Sequence, residues 1–313
     1  MKRFIAAFGI LLVLVILPQF VGKYYVNLLT NMLIVIIFSM SLDLLVGYLH
    51  LPSLGHAAFF GVAAYTVGIF STNVMSSFWL NFPLAILMAG AVAALFGLLA
   101  LRTRAGYFFM ITLALSEILW GIAFRWRTFT RGDDGIPNIL RPDLGFIPWS
   151  LLDATHYFYF VLFFFVVAFI LMYVIVSSPF GRIILGIREN ELRMRALGFN
   201  TWLYKYACFI IAGLFAGLSG VLSVYLNGFV SPAVLHVALS AEGLLPVLLG
   251  GAGTLIGPAI GAATIVFLEN MISAYTERRL LFLGVMYLIV VMFTPQGILG
   301  LIKKMRLKRQ VKP

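Results

Sequence analysis

Four carboxylates lie within apolar stretches of this sequence, where an ionisable side chain is rare: Asp43, Glu117, Glu242 and Glu269. A charge in apolar surroundings is costly, so such residues usually face a partner or a water-filled cavity and often mark a solute pathway. Structural explanations compete in each case. Glu242 begins a short apolar stretch, where its negative charge would interact favourably with the positive end of a helix dipole. The other three lie near the ends of their stretches, within reach of the membrane surface.

Histidine and cysteine offer little further chemistry. His56 lies at the start of an apolar stretch, and a lone imidazole lacks the additional ligands of a metal site. Packing and hydrogen bonding at a helix start explain it, and a role in gating is the alternative. Cys208 is the single cysteine, which excludes an internal disulfide or a cysteine-based metal site. The four histidines are scattered, so we expect no catalytic residues, no metal and no cofactor bound by this chain.

The composition identifies lipid as the main solvent. The chain has 313 residues, of which 62% are hydrophobic and 11% charged, and its mean hydropathy is +1.05. Ordinary soluble proteins carry roughly 25% charged residues, so a water-soluble globule is excluded. The net charge is +11, but the basic residues lie in short gaps between long apolar runs. Membrane lipid is therefore an expected partner, and nucleic acid is not.

Nine apolar segments approach the length of about 20 residues that a membrane-spanning helix needs. Barrel strands would alternate in character along their length, whereas Ile10–Leu17 and Val161–Val176 are apolar on every side. The predicted fold class is therefore all-α, a polytopic transmembrane helix bundle with residues 1–313 in one domain. The segments lie near 4–20, 27–48, 53–70, 78–101, 107–124, 157–176, 206–227, 255–273 and 280–298.

The distribution of basic residues predicts the orientation, because Lys and Arg accumulate in cytoplasmic gaps. The amino terminus, residues 102–104, the segment 177–205 and the basic tail 299–313 together hold 15 of the 22 basic residues. We therefore predict that both termini are cytoplasmic and that the loop 125–153 is extracytoplasmic. Two termini on one side require an even number of crossings, which makes about ten.

The remaining crossing must lie between residues 227 and 255. Glu242–Leu249 is apolar but only about half a span long, and it runs into Gly250-Gly251-Ala252-Gly253-Thr254. Glycines interrupt a helix, so we predict a broken or re-entrant helix of the kind that lines solute sites in transporters. An interfacial loop is the alternative. The candidate pathway residues are His56, Tyr65, Thr112, Glu117, Glu242, Gly250, Gly251, Gly253 and Thr254.

Small residues predict where helices touch. Gly213 and Gly217 form one small-xxx-small pair, and Gly253, Gly257 and Gly261 form a longer stripe. Such patterns let two helix backbones approach closely in a membrane. Packing is the preferred interpretation of both patterns over direct contact with a ligand.

The segment 177–205 contains one short amphipathic helix according to its pattern. Between Pro179 and Asn200, the side chains of Ile187, Leu192 and Ala196 fall roughly on one side, and Gly198 is a stop signal. A short cytoplasmic helix of this kind suits docking into a groove of another protein. Binding to anionic lipid headgroups is the alternative.

Four motifs in this order resemble the LivM-type permeases of branched-chain amino acid ABC importers. They are Ser53–Gly61, Thr112–Ile118 leading to Gly132–Ile136, Ser178–Asn200 and Gly250–Pro258. The resemblance covers almost the whole chain. It implies a cell (inner) membrane location and a pairing with a second related permease subunit. It also implies two cytoplasmic ATPase subunits and a periplasmic or lipid-anchored substrate-binding protein.

The resemblance further assigns the segment Ser178–Asn200 to contact with the ATPases. The residues that this assigns to ATPase coupling are Arg182, Arg188, Glu189, Asn190, Glu191, Ala196 and Gly198. The sequence contains no G-x-x-x-x-G-K-[ST] phosphate loop, so ATP must be used by partner subunits.

The loop 125–153 carries balanced charges, and we expect it to form part of the surface that meets the binding protein. The candidate docking residues are Arg131, Asp133 and Asp134. A solvated loop without a partner is the alternative. Two adjacent carboxylates in Gly132-Asp133-Asp134-Gly135 are better explained as a tight turn than as a metal site.

The expected function is that of a transport subunit, not an enzyme, which moves branched-chain or related hydrophobic amino acids by alternating access. An ion-coupled secondary transporter would also use a broken helix and buried carboxylates. An ABC permease for urea or short amides is a further alternative, because similar permeases serve those solutes.

Overall fold

A computed structural model describes residues 12–73, 77–103, 105–142 and 150–274, with isolated positions at 9, 281–282, 284–285, 288, 297–298 and 300. The helices of the described chain are α1 (Lys23–Leu49), α2 (His56–Asn73), α3 (Phe78–Ala100), α4 (Ala105–Arg125), α5 (Ala154–Ser177), α6 (Pro179–Glu189), α7 (Glu191–Ala196), α8 (Thr201–Asn227), α9 (Val237–Gly250) and α10 (Ile256–Ser273). Single helical turns occur at Leu17–Gln19, Arg127–Thr130, Gly132–Asp134 and Pro232–Leu235.

Six of these helices are long and apolar enough to cross a membrane: α1, α3, α4 from Gly106, α5, α8 and α10. Two shorter apolar helices, α2 and α9, lie among them. The prediction of an all-α transmembrane bundle is therefore confirmed. Residues 4–8 and 10–11 of the predicted segment near 4–20, most of the segment near 280–298 and all of the tail 299–313 except residue 300 fall outside the described residues.

Two 27-residue helices, α1 and α8, form the centre of the described bundle. In the most apolar 18-residue stretch of each helix, 83% of α1 and 67% of α8 is buried inside the protein. Helix α8 packs on α1, α2 and α3, while α1 also contacts α5, α9 and α10. A lipid-exposed helix keeps much of its surface outside the protein. In α4 and α5, only 22% of the most apolar 18-residue stretch is buried. The buried pair therefore positions the other helices.

Small residues allow α8 to approach its neighbours closely. A Cβ atom added to Gly213 would meet the Ala93 side chain of α3, and one added to Gly217 would meet Ala89, one turn away. Gly220 lies against the backbone of Phe60 in α2. The predicted packing role of the Gly213 and Gly217 pair is confirmed, because the two glycines lie directly at the contact with α3.

Candidate functional site

Helix α2 begins inside the bundle rather than at its end. The chain leaves α1 at His50 and runs without regular structure through residues 51–55. Ser53 and His56 there are completely buried. The Ala57 N–H donates to Ser240 Oγ of α9 at 2.8 Å, and the Leu54 N–H donates to Thr112 Oγ1 of α4 at 3.3 Å. These hydroxyls satisfy backbone donors that would otherwise be unpaired in an apolar interior.

The start of helix α9 is partly exposed, and Glu117 of α4 accepts a backbone N–H there. The Val237 N–H donates to Glu117 Oε1 at 3.2 Å, and His236 Nε2 lies 3.9 Å from the same oxygen. The Ser116 hydroxyl donates to the Leu235 carbonyl at 3.1 Å. The prediction that Glu242 opens this helix is wrong, because α9 begins five residues earlier at Val237. The carboxylate that meets the helix dipole is Glu117.

The predicted break after Gly250 is present. Helix α9 ends at Gly250 and α10 begins at Ile256, so the chain reverses within residues 251–255. Gly251 has φ 108° and Gly253 has φ 78°, backbone angles that favour glycine. Gly261 of α10 lies against the Pro246 carbonyl of α9. Gly257 and Gly261 thus pack the two helices together, while Gly253 belongs to the turn and not to the packing stripe.

Asp43 of α1 holds this turn in place. Its side chain is completely buried, and Oδ1 accepts the Gly253 N–H at 2.8 Å. Gly47, one turn further along α1, lies directly against the Gly253 backbone. The sequence shows Asp43 as an acid in an apolar stretch but does not assign it to the site. Its assignment requires a contact between residues 210 positions apart.

Arg188 of α6 reaches the same place. Its Nη1 donates to the Gly47 carbonyl at 2.6 Å, and a Cβ atom at Gly253 would lie 3.1 Å from that nitrogen. Asp43, Gly47, Arg188 and Gly253 therefore form one junction, which we call the coupling junction. It joins α1, α6 and the turn between α9 and α10.

The segment 177–205 contains two helices rather than the single predicted one. Ser178 caps α6 by accepting the Gly181 N–H, and Asn190 interrupts the helix and caps α7 by accepting the Arg193 N–H at 2.9 Å. An Asn side chain that bonds to the local backbone favours a new helix start. The prediction that Ile187, Leu192 and Ala196 share a face is wrong. Ile187 is buried, whereas Leu192 is 76% exposed and Ala196 is also exposed.

Glu191 locks α7 onto α8. Its Oε1 accepts hydrogen bonds from Arg195 at 2.7 Å, Lys205 at 2.8 Å and Thr201 at 3.0 Å. Burial alone would raise the pKa of Glu191, but the bond and charge of Lys205, together with Arg195 and Thr201, outweigh it and lower that pKa. Glu191 thus positions the segment from within.

The predicted coupling residues divide into two groups. Arg188 points into the coupling junction, and Glu191 faces α8. The remaining five are exposed: Arg182, Glu189, Asn190, Ala196 and Gly198. Beside them, Leu192 and Leu197 are 76% and 66% exposed. This exposed surface of α7 combines apolar and charged side chains, as a protein-docking surface does.

The predicted pathway residues lie in four different places. His56, Tyr65 and Thr112 are buried in the packed interior, where the His56 ring makes edge contacts with Phe38 and Phe59. Gly250, Gly251, Gly253 and Thr254 form or border the turn between α9 and α10. There the Thr254 hydroxyl donates to the Gly251 carbonyl at 2.9 Å. Glu117 caps α9, and Glu242 lines a cavity.

That cavity has a volume of about 780 Å³ and lies between α1, α8, α9 and α10. It is at the end of the bundle where α1 begins and where α8 and α10 finish, because Tyr24, Asn227 and Asn270 line it. Glu242 and Glu269 contribute two carboxylates. The coupling junction lies further along α1 toward its carboxyl end, beyond Phe38 in the cavity wall.

The described part of the loop 125–153 is held firmly against the bundle. Ile136 and Val230 form a pair of backbone hydrogen bonds at 2.8 and 3.1 Å. Arg141 Nε donates to the Tyr225 carbonyl at 3.1 Å, and its guanidinium lies 4.3 Å from the centre of the Tyr157 ring. The predicted docking residues Arg131, Asp133 and Asp134 are all exposed. Gly132–Asp134 forms a tight helical turn.

A bundle of apolar helices with an internal helix break and an exposed amphipathic segment defines the class as a polytopic membrane transport subunit. The family model for the branched-chain amino acid transport system / permease component matches residues 24–293. The chain belongs to this family. Its members are permease components, so the protein is a transport subunit of a multi-component system rather than an enzyme. The predictions of the family and of a multi-pass membrane location are confirmed.

Individual relatives agree with this assignment. The high-affinity branched-chain amino acid transport system permease protein LivM of Escherichia coli (strain K12) is 30% identical over 95% of this chain and 75% of its own length. The Salmonella typhimurium protein of the same name is 29% identical over the same shares. A probable branched-chain amino acid transport permease protein LivM of Methanocaldococcus jannaschii is 23% identical over 84% of this chain and 89% of its own. No solved structure matches the chain significantly.

Proposed function

We propose that this chain is the translocating subunit of an ATP-driven importer for branched-chain or related hydrophobic amino acids in the cell (inner) membrane. The names of the relatives supply the solute class. The observation that carries the mechanism is the coupling junction. In it, Arg188 from an exposed segment donates a hydrogen bond to the Gly47 carbonyl and lies beside Gly253, in the turn between α9 and α10.

The proposed assembly contains a second related permease subunit, two cytoplasmic ATPase subunits and a periplasmic or lipid-anchored binding protein. The chain makes about ten crossings with both termini in the cytoplasm. The segment 177–205 then faces the ATPases, and its exposed Leu192 and Leu197 supply an apolar contact surface. The exposed residues Arg131, Asp133 and Asp134 face the binding protein on the other side.

The structure of the segment favours a rigid transmission of movement. Helix α6 packs on α1 and α5, and Ile184 and Ile187 are buried there. Glu191 ties α7 to α8. ATP-driven closure of the ATPases displaces this segment, and Arg188 transfers the displacement to α1 and to the turn between α9 and α10. Alternating access follows when these helices move relative to the partner permease.

Asp43, which is buried, and Glu117, whose side chain is 30% exposed, favour this mechanism over ion-coupled transport. Asp43 accepts the Gly253 N–H and Glu117 accepts the Val237 N–H, so both satisfy backbone donors at helix or turn positions. A carboxylate that carries a coupling ion must release it in each cycle. Groups that hold the backbone in place are better suited to a structural role.

The test uses the complete assembly with its partner subunits in lipid vesicles. We expect leucine uptake that requires both ATP and the binding protein. Replacing Arg188 with Ala should reduce uptake about tenfold or more while ATP hydrolysis continues, because a charge-assisted hydrogen bond at the junction is lost. Arg102, an exposed residue at the end of α3, provides the control variant Arg102→Ala with uptake close to normal. Normal uptake by Arg188→Ala would contradict the proposed route.

A further inference from the structure

Gly297 lies directly against the turn between α9 and α10, although it is far from that turn in sequence. It is buried, and a Cβ atom added to it would meet the Gly251 backbone and would lie 2.8 Å from the Gly250 carbonyl carbon. Its φ of 67° lies in the left-handed region, which favours glycine. Glycine is therefore required at residue 297 for two reasons, the backbone angle and the close approach to the turn.

The next residue extends this contact to the two helices that the turn joins. Ile298 packs against a small apolar cluster formed by Leu249 of α9 and Ile265 of α10. This cluster is separate from the main apolar core of the described bundle. Residues 297 and 298 are thus attached to the α9 and α10 pair by a backbone contact and by an apolar side chain.

The turn makes separate contacts with the coupling junction and with Gly297. Gly253 meets the backbone of Gly47 in α1, whereas Gly251 meets the backbone of Gly297. Both contacts join backbone to backbone, with no side chain between them. Packed protein interiors have low compressibility and transmit strain. A movement of the turn at Gly253 is therefore expected to reach residue 297.

We infer that Gly297 is a positioning residue that passes the movement of the coupling junction to the last predicted crossing. Gly297 lies at the carboxyl end of the predicted segment near 280–298. The inference rests on the proposed function and extends its route. Arg188 moves α1 and the turn, and the turn moves the last crossing through residues 297 and 298.

The experiment measures the distance between two spin labels in the complete assembly in lipid nanodiscs. The labels occupy the exposed positions Leu95→Cys in α3 and Leu288→Cys in the last predicted crossing. The background is Cys208→Ala with cysteine-free partner subunits. Helix α3 is the reference because it packs on α2 and α8. A nonhydrolysable ATP analogue should change the distance by about 2 Å or more, as in helix shifts between transport states.

Gly297→Ala should abolish this change in distance, because the added methyl group separates residue 297 from the turn. Gly284→Ala is the matched control, since it makes the same substitution in the same predicted segment and nothing lies within 4 Å of a Cβ there. It should respond like the parent. A merely structural role of Gly297 would alter the resting distance or the melting temperature but keep the response to the nucleotide. A full response in Gly297→Ala, or none in the parent, would overturn the inference.

Two further variants test the route. Arg188→Ala should also abolish the response, because it removes the hydrogen bond to the Gly47 carbonyl at the beginning of the route. Ile298→Ala only shortens a partly buried side chain and keeps Gly297, so it should fold and reduce the response without abolishing it. It decides the question if Gly297→Ala does not fold. A full response in either Arg188→Ala or Ile298→Ala would overturn the inference.

Leucine uptake by the same assemblies in lipid vesicles separates this inference from the proposed function. A nucleotide response that depends on Gly297, without ATP-dependent leucine uptake by the parent, would support the inference and overturn the proposed transport of leucine. Leucine uptake by the parent without a nucleotide response at residue 288 would support the proposed function and overturn the role of Gly297.

Discussion

Arg188 and Gly47 are 141 positions apart in sequence and are joined by a hydrogen bond of 2.6 Å between the guanidinium and the backbone carbonyl. A carbonyl at the carboxyl end of a helix lacks an intrahelical partner. A cation at that position also interacts favourably with the negative end of the helix dipole. Arg188 thereby completes α1 while it belongs to a segment on the surface. This double contact is the basis of the proposed coupling route through Arg188.

The bond between Asp43 and Gly253 leads to a first prediction. Replacing Asp43 with Ala leaves the Gly253 N–H without its acceptor in a buried position, which should lower stability by about 1–3 kcal/mol. Asp43→Asn keeps an oxygen acceptor for this N–H, so it should lower stability much less than Asp43→Ala. Thermal unfolding of the purified protein in detergent measures the difference, with Thr264→Val as the control. Equal melting temperatures of the Ala and Asn variants would show that the hydrogen bond does not hold the turn.

Gly253 itself leads to a second prediction. Its φ of 78° is unfavourable for a residue with a side chain, and a Cβ would also lie 3.1 Å from the Gly47 carbonyl oxygen. Gly253→Leu should therefore abolish uptake. Gly121→Leu is the control, because nothing lies within 4 Å of a Cβ at Gly121. Membrane levels are compared by immunoblot, and near-normal uptake by Gly253→Leu would mean that the turn is a plain connector.

The proposed orientation can be tested with an impermeant thiol reagent. Asn138 is exposed in the loop 125–153, and Leu192 is 76% exposed in α7. In a Cys208→Ala background, Asn138→Cys should react in intact cells and Leu192→Cys only after the membrane is opened. The parent without either cysteine is the control. Reaction of both positions from the same side would refute the orientation.

The Glu191 network predicts a dependence of stability on pH. The pKa of Glu191 is lower in the folded protein than in the unfolded chain. Ionised Glu191 therefore stabilises the fold fully at pH values above its unfolded pKa, and this stabilisation is lost as the pH falls through its folded pKa. The difference in melting temperature between the parent and Glu191→Gln should be constant between about pH 6 and pH 8. It should shrink only below the ordinary value of 4.5. Glu189→Gln, at an exposed position, is the control, and a difference that already shrinks near pH 6 would contradict the lowered pKa.

Local sequence patterns predict much of this fold. A membrane-spanning helix requires about 20 apolar residues in succession, and this property can be counted along the chain. The break after Gly250 was also predictable, because three nearby glycines weaken a helix whatever surrounds it. Small residues at the spacing of Gly213 and Gly217 predict close packing for the same local reason. The four motifs Ser53–Gly61, Thr112–Ile118 with Gly132–Ile136, Ser178–Asn200 and Gly250–Pro258 together predicted the family.

The tertiary structure decided which partner each polar side chain has. The sequence placed Glu242 at a helix start and Ile187 on the same face as Leu192, and both predictions failed because neighbouring segments determine where those helices begin and which sides they bury. Sequence alone likewise treated Arg188 as one of several surface cations. A buried carboxylate or guanidinium is stable only beside groups that offset its loss of water. Such groups come from helices far away in the chain, so their identity depends on the assembled bundle and not on local spacing.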